Sequence, residues 1–182
     1  MKLGSLFDGS GGFPLAGALA GIDPVWAAEI EPYPISVTRY RFPAMRHLGS
    51  VSEVNGGEIE PVDVVTFGSP CQDLSIAGKR AGIHDGERST LFFEAIRIIR
   101  EMREATDGRY PTFAIWENVP GAFSSNGGDD FRCVLEALAN VAGRGVSVPR
   151  PAGRANAEET VKKRAQKQPK PGTAGRSRKT GC

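Results

Sequence analysis

The segment Lys2–Phe13, KLGSLFDGSGGF, decides the fold. It starts with the short apolar run Leu3–Phe7, which is typical of a buried β-strand, and the glycine-rich turn that follows ends the strand. Pro14 and Gly21 then suit the start and the end of a helix, because proline is favoured at the first helical position and glycine just after the last. The segment therefore predicts a strand, a glycine loop and a helix in succession.

The same alternation continues to about residue 142. Apolar runs predict further strands over residues 25–28, 62–67 and 112–116, and the first and last of these are expected to be buried. Helical spacing predicts helices over residues 33–42, 89–104 and 129–141. Strands separated by helices favour an α/β fold, with a mostly parallel sheet and helices on both faces. In such sheets ligands bind beyond the carboxyl ends of the strands, so the residues just after each strand are the candidates for function.

Charge divides the chain into two parts. The 182 residues have a net charge of only +2, but residues 1–142 carry a net −7 and residues 143–182 carry a net +9. The second part contains no Leu, Ile, Met, Phe, Trp or Tyr. We therefore predict a packed domain over residues 1–142 and a basic tail over residues 143–182 that cannot form a core.

Composition argues against several classes of protein. The sequence has no run of about 18 apolar residues and no apolar signal segment at its start, so neither a membrane span nor secretion is expected. Cys71, Cys133 and Cys182 form no CxxC pair, and His47 and His84 lack ligand spacing. A disulfide scaffold or a metal site is therefore not expected, and a cytoplasmic location is.

Two of the loops that follow predicted strands suit a nucleotide-like ligand. The glycines of Phe7–Phe13 allow close approach of a ligand to the backbone, although a tight turn alone would also explain them. Glu29 follows the second strand, where a carboxylate can accept hydrogen bonds from a ribose, and Ile30 can cover an adenine face. The glycine spacing is not GxGxxG, which disfavours a nicotinamide enzyme. Together the two loops favour a nucleoside-containing cofactor.

The other two loops suit covalent chemistry. Cys71 lies in the loop Gly68–Ser75 directly after a strand, whereas a lone cysteine such as Cys133 is more often a small core residue. Glu117 follows the apolar run 112–116, so we expect partial burial to raise its pKa, although a structural role would also explain a glutamate there. A thiol beside a carboxyl group indicates nucleophilic catalysis with acid assistance.

In this order, the four motifs resemble the amino-terminal part of the DNA (cytosine-5) methyltransferases, over roughly residues 2–154. Pro70-Cys71-Gln72 is similar to the catalytic motif of that family, and Glu117-Asn118-Val119 is similar to its acid motif. The resemblance implies a three-layer, Rossmann-like methyltransferase fold, here incomplete, that binds S-adenosylmethionine. It implies cofactor contacts from Phe7, Asp8, Gly9, Gly11, Gly12, Glu29, Ile30, Ser50, Gly68, Pro70 and Leu91.

The resemblance also implies a mechanism. Cys71 attacks C6 of a cytosine, Glu117 hydrogen-bonds or protonates N3, and C5 then accepts the methyl group. Asn118 positions the acid loop, and the cytosine must first flip out of the duplex. In this family a mobile loop closes on DNA, and the residues that match it here are Gln72, Ser75, Lys79 and Arg80.

The chain departs from the family in two ways. Ser50 stands where the family commonly has an acidic residue near the adenine amino group. The Gln-Arg-Arg motif, the target-recognition region and the last helix of the family are not found in the 182 residues. The resemblance still favours a DNA (cytosine-5) methyltransferase. The alternative is an inactive, truncated remnant that binds the cofactor or DNA weakly, or a chain that needs a complementing carboxyl-terminal chain.

The basic tail allows two interpretations. It is either an arm that binds nucleic acid or the end of a truncated or frame-shifted gene. Its lack of aromatic residues favours truncation, because such residues would stack on bases. The family and the small size favour a bacterial or phage protein, with a role in restriction–modification as one expectation.

Overall fold

The computed structural model describes residues 1–68, 90–123, 128–143 and 145–149. Within these ranges five strands form one sheet, and every neighbouring pair is parallel. The strands are β1 (Lys2–Leu6), β2 (Asp23–Ala28), β3 (Arg46–His47), β4 (Val64–Phe67) and β5 (Phe113–Trp116). They lie in the order β3-β2-β1-β4-β5 and belong to one compact unit, Met1–Pro149.

The strand order creates a crevice at the middle of the sheet. After β1, the chain adds β2 and then β3 on one side of β1. It then adds β4 and β5 on the other side of β1. The connections that follow β1 and β4 therefore leave the sheet in opposite directions. Such a switch point is where open α/β sheets bind ligands, beyond the carboxyl ends of the two strands.

Helices cover both faces of the sheet. They are α1 (Gly12–Leu19), α2 (Pro32–Arg41), α3 (Thr90–Ala105) and α4 (Asp129–Asn140), with short 3₁₀ helices at Val51–Glu53 and Pro120–Phe123. On one face Leu3 of β1 packs against Gly17 of α1, where a side-chain carbon would lie 3.0 Å from the leucine Cδ1 atom. On the other face Leu6 joins a core built with α3 and α4. The molecule therefore has three layers.

The core on the α3 face explains two features of the sequence. The apolar side of α3 places Phe92, Ile96 and Ile99 against Phe67 of β4, as its 3–4 spacing predicts. The Trp26 ring lies across β1 at Gly4, where a side-chain carbon would come within about 2 Å of the ring. Glycine is therefore required at this position by space and not by backbone conformation.

The predicted fold class is confirmed, and each predicted strand and helix exists within about two residues of its expected bounds. The sequence did not reveal β3, which has only two residues. The expectation of a buried fifth strand is wrong: Phe113 and Ile115 are 53% and 49% exposed, because β5 is the last strand of the described sheet. No helix in the described ranges is long and apolar enough to span a bilayer. The predicted basic tail lies almost entirely outside the described residues.

Candidate active site

The glycine loop after β1 turns the chain back into α1 through left-handed backbone. Phe7, Gly9 and Gly11 have φ angles of 55°, 56° and 86°. A side-chain carbon at Gly11 would also lie 2.8 Å from Cγ2 of Thr38 on α2. Gly11 therefore meets two requirements at once, one on conformation and one on space. Phe7 bears the same unfavourable φ with a bulky side chain, which is a feature of functional loops.

Glu29 holds the loops after β1 and β2 together. Its Oε2 atom accepts a hydrogen bond from the Gly9 N–H at 2.8 Å. Its Oε1 atom accepts from the N–H groups of Ile30 and Glu31, at 2.7 and 2.9 Å. The two predicted motifs are thus brought into direct contact. A carboxylate has about four acceptor positions, so one remains for a ligand hydroxyl.

Asp8 is buried at the base of this loop. Its side chain belongs to a residue only 6% exposed, and neither carboxylate oxygen has a hydrogen-bond partner among the described residues. Burial raises the pKa of Asp8 to about 6; the Ser5 hydroxyl opposes the rise in part, and the negative charge of Glu29 adds to it. A buried carboxyl group without a partner destabilises the folded state. A ligand that brings a cation or a hydrogen-bond donor to this place would offset that destabilisation.

Three further predicted cofactor residues border the same edge. Ile30 is 66% exposed next to Glu29, so its side chain is free to contact a ligand. Ser50 has a structural task, because its Oγ atom accepts from the Ser52 N–H at 3.3 Å and caps the 3₁₀ helix Val51–Glu53. Leu91 is half-buried at the start of α3 and packs against the core. The structure thus places all three near the expected edge, with only Ile30 openly exposed.

The carboxyl ends of β4 and β5 bring Gly68 and Glu117 together. A side-chain carbon at Gly68 would lie 2.9 Å from Oε2 of Glu117, and the Glu117 N–H donates to the Phe67 carbonyl at 3.0 Å. Glu117 is exposed, so the burial expected from its position after an apolar strand is not found. The Oδ1 atom of Asn118 accepts from the next N–H, that of Val119, at 2.7 Å, which shapes the loop.

The predicted nucleophile and DNA loop lie outside the described residues. They belong to the segment 69–89, whose predicted site residues are Pro70, Cys71, Gln72, Ser75, Lys79 and Arg80. The described chain stops at Gly68 and resumes at Thr90.

Arg97 is a positioning residue that sequence reasoning missed. From α3 its guanidinium donates to the carbonyl groups of Val54 and Val51 at 2.9 and 3.1 Å, and it also pairs with Glu94 and Glu101. These bonds fasten the segment that begins at Ser50 to α3. The signal was present in the spacing, because acids three residues before and four after an arginine share its helix face.

In the described ranges no three His, Cys, Asp or Glu side chains are grouped as metal ligands would be. A shallow depression of about 330 Å³ lies where the carboxyl ends of α3 and α4 meet, lined in part by Arg100, Arg103 and Asn140. Since α3 leads back to the amino end of β5, this depression is at the opposite edge of the sheet from the glycine loop.

Two curated relatives share most of the described chain. A DNA N-6-adenine-methyltransferase of Escherichia phage P1 is 38% identical over 142 residues, which are 75% of this chain and 19% of the relative. The type II methyltransferase M.HhaI of Haemophilus parahaemolyticus is 35% identical over 133 residues, which are 73% of this chain and 38% of the relative. The chain thus spans well under half the length of either relative.

Solved structures and a family model agree with this likeness. A DNA modification methyltransferase encoded within an E. coli prophage superposes with a TM-score of 0.59 and 26% identity, covering 77% of this chain and 38% of that one. The S. pombe Dnmt2 methyltransferase gives 0.52 and 20%, over 74% and 39%, and supports the fold alone. The model for C-5 cytosine-specific DNA methylases matches residues 1–143. The chain therefore belongs to the C-5 cytosine-specific DNA methylase family.

Proposed function

We propose that the chain forms the cofactor-binding and catalytic half of a DNA (cytosine-5) methyltransferase. The observation that carries the proposal is the contact between Gly68 and Glu117 at the carboxyl ends of β4 and β5, next to the switch point between β1 and β4. Gly68 precedes Cys71 by three residues, so the segment that carries the candidate nucleophile begins beside the candidate acid, Glu117. A thiol and a carboxyl group converging on one crevice suit covalent activation of a ring.

The described residues fit S-adenosylmethionine, which supplies an electrophilic methyl group when it is bound. The first N–H groups of α1 have no partner within the helix, and they suit the carboxylate of the amino-acid part. The remaining acceptor position of Glu29 suits a ribose hydroxyl, and exposed Ile30 suits an adenine face. The two unpaired oxygens of Asp8 suit a positive charge. We assign the remaining cofactor contacts to Phe7, Gly9, Gly11, Gly12, Ser50, Gly68, Pro70 and Leu91.

The chain's own side chains activate the cytosine. The Cys71 thiolate bonds to C6, and the electrons of the C5–C6 double bond move toward C5 and N3. Glu117 donates a hydrogen bond or a proton to N3, which stabilises that charge. After C5 is methylated, a base removes the C5 proton and the thiolate leaves, so that the double bond forms again. Asn118 keeps the acid loop in place.

The DNA must present its cytosine outside the helix, because C5 and C6 are stacked within the duplex. Gln72, Ser75, Lys79 and Arg80 are proposed to contact the DNA, with the two cations on phosphates. All four residues lie within nine positions after Cys71 in sequence. Closure of their segment would bring the nucleophile and the DNA contacts to the target together.

A complementing carboxyl-terminal segment is part of the proposal. The relatives are more than twice as long as the matched region, and β5 leaves Phe113 and Ile115 half-exposed at the edge of the described sheet. Such an edge is ready to pair with another strand. Without the missing segment, the alternative is an inactive remnant that binds cofactor or DNA weakly.

A covalent trap tests the enzyme proposal. DNA that contains 5-fluorocytosine throughout avoids the need to know the target sequence, because fluorine at C5 cannot leave as a proton does. With S-adenosylmethionine present, we expect a denaturation-resistant protein–DNA complex that Cys71→Ser abolishes. The assay is run with and without the carboxyl-terminal part of M.HhaI. If no complex forms in either arm, the proposal of covalent cytosine methylation by this chain fails.

The phage P1 relative supports a second candidate, methylation of adenine N6, since that relative is named as a DNA N-6-adenine-methyltransferase. The N6 amino group is itself the nucleophile, so that reaction has no need of Cys71. Nucleoside analysis of DNA methylated with labelled cofactor separates the two. Labelled 5-methylcytosine supports the first proposal, whereas labelled N6-methyladenine with an active Cys71→Ser variant supports the second.

A further inference from the structure

Three arginines and two tyrosines form an exposed basic surface on α2 and β3. Tyr33 and Tyr40 are 77% and 84% exposed, and the three arginines are exposed as well. We call this surface the α2 patch, and its members are Tyr33, Arg39, Tyr40, Arg41 and Arg46. Residues 32–52 contain no Asp or Glu, although residues 1–142 carry a net charge of −7. The α2 patch is therefore a positive region on an acidic domain.

Contacts between α2 and β3 bring the arginines of the two elements together. Burial lowers the pKa of His47, and the positive charge of Arg39 adds to this lowering, so Arg39 lies near β3. Oγ1 of Thr38 and Nε2 of His47 are 3.2 Å apart. Arg46 directly precedes His47 on β3. The end of α2 and the start of β3 therefore contribute to one surface.

The arginines of the α2 patch have no carboxylate partner within the described ranges. Lys2, Arg97 and Arg132 each pair with a carboxylate. The nearest acid before the patch in sequence, Glu31, is the N-cap of α2, about 12 Å along the helix from Arg39. The positive charge of the patch is therefore available to a partner.

Helix stability explains only part of the α2 patch. Arg39 and Arg41 lie in the last turn of α2, where positive charge interacts favourably with the helix dipole. That effect does not account for Arg46 on β3. It does not account for Tyr33 and Tyr40 either, which are seven positions apart on one side of α2 and remain in solvent. Cations beside exposed aromatic rings are typical of surfaces that bind nucleic acid.

We propose that the α2 patch binds the phosphate backbone of the DNA that flanks the target base. This inference rests on the proposed function, which makes DNA the substrate. The same turn of α2 packs at the glycine loop, because Thr38 and Phe42 lie 2.8 and 3.5 Å from a side-chain carbon placed at Gly11. A duplex at the edge of the sheet that carries the candidate active site can therefore extend across α2. Arginine and tyrosine contacts to phosphates position a duplex without reading its sequence.

Protection of single arginines tests the proposal on the full chain. Phenylglyoxal reacts with exposed guanidinium groups, and peptide mass spectrometry reads each arginine separately. A saturating duplex of about 30 base pairs should slow modification of Arg39, Arg41 and Arg46 by roughly fivefold or more. Arg100 and Arg109 are exposed elsewhere on the domain and serve as internal controls that DNA should leave unchanged. Equal rates with and without DNA at the α2 patch would overturn the proposal.

Two double variants measure the contribution to affinity. Arg39→Gln with Arg46→Gln removes two charges from the α2 patch, and Arg100→Gln with Arg109→Gln removes two charges elsewhere. In fluorescence anisotropy we expect the first pair to reduce the slope of log affinity against log salt concentration by about two, and the control pair to reduce it much less. Circular dichroism should match wild type for both, because all four side chains are exposed. Equal reductions would mean that only net charge matters, which contradicts the proposal.

Further outcomes separate this inference from its alternatives. If polyglutamate protects the arginines of the α2 patch as well as DNA does at the same ionic strength, the patch fits an acidic protein and the DNA proposal is wrong. If the covalent complex with 5-fluorocytosine forms without protection of these arginines, this inference fails and the proposed function stands. If the arginines are protected but no covalent complex forms, the proposed function fails and the DNA contact stands.

Discussion

At the scale of single residues, the site combines demands that stability alone would avoid. Phe7 is a bulky residue with positive φ, and Asp8 is a buried carboxyl group without a partner. Both follow β1 directly, at the switch point of the sheet. Strain and unpaired charge at one loop indicate that the loop is built for a ligand.

The charge of Asp8 predicts a pH dependence of stability. Its folded pKa of about 6 lies above the ordinary value of 3.8, so the folded state binds more protons between these values. Stability from this group is therefore present at low pH and is lost as pH rises through about 6. We expect ligand-free wild type to lose about 2 kcal/mol of unfolding free energy relative to Asp8→Asn between pH 4 and pH 7.5. Urea unfolding of both proteins at each pH measures the difference, and parallel curves would contradict it.

Gly11 predicts a destabilising substitution with a matched control. Gly11→Ala places a carbon 2.8 Å from Thr38 at a φ of 86°, whereas Gly21→Ala adds a carbon with nothing within 4 Å at a φ of 74°. Each substitution should lower the free energy of unfolding by about 1 kcal/mol, because alanine disfavours the left-handed backbone. Gly11→Ala should cost a further 1–2 kcal/mol, roughly, from overpacking. If urea unfolding gives the same loss of unfolding free energy for both variants, the Thr38 side chain moves aside without cost and the overpacking prediction is wrong.

At the scale of elements, α3 organises more of the site than its apolar face indicates. Arg97 links it to the 3₁₀ segment after Ser50, and Glu101 accepts from the Gly56 N–H at 2.7 Å. The helix thus fixes a border of the candidate cofactor site through polar bonds. Its apolar side meanwhile packs on β4.

Arg97 predicts a coupling between α3 and that border. Arg97→Met should cost about 1–2 kcal/mol in unfolding free energy, because the Val51 and Val54 carbonyls lose their donor. Arg132→Met on α4 is the control, since Arg132 has acids at the same spacing but bonds to no backbone carbonyl among the described residues. We expect about half the cost there or less. Similar losses would mean that the ion pairs, and not the carbonyl bonds, carry the effect.

At the scale of the whole molecule, the described sheet has an open edge. Phe113 and Ile115 of β5 are half-exposed, although the paired residues of β4, Val64 and Thr66, are buried. Exposed apolar residues on an edge strand favour association with another chain.

This edge predicts that the chain self-associates at high concentration. Phe113→Lys with Ile115→Lys should reduce the association measured by sedimentation velocity and leave the circular dichroism spectrum unchanged, because both side chains already meet solvent. Leu19→Lys is the control, since Leu19 is 82% exposed on α1, away from the sheet edge. If only the control reduces association, the contact surface is α1.

The sequence by itself determined the order of strands and helices, the glycine loop and the positions of the candidate acid and nucleophile. These features depend on local spacing, because apolar periodicity, proline and glycine act within a few residues. The spacing of Glu94, Arg97 and Glu101 was equally visible, but not the carbonyl groups that Arg97 reaches, which lie more than 40 positions away.

Only the tertiary structure decided which side chains are buried and which are left without partners. The residues of β5 are apolar, as in a buried strand, but β5 lies at the edge of the described sheet and is exposed. Glu117, which follows β5, is exposed for the same reason. Asp8 lies in a glycine-rich stretch typical of a surface turn, but its side chain is buried near Glu29. Burial depends on the strand order and on the neighbours it provides, and these are properties of distant segments brought together in space.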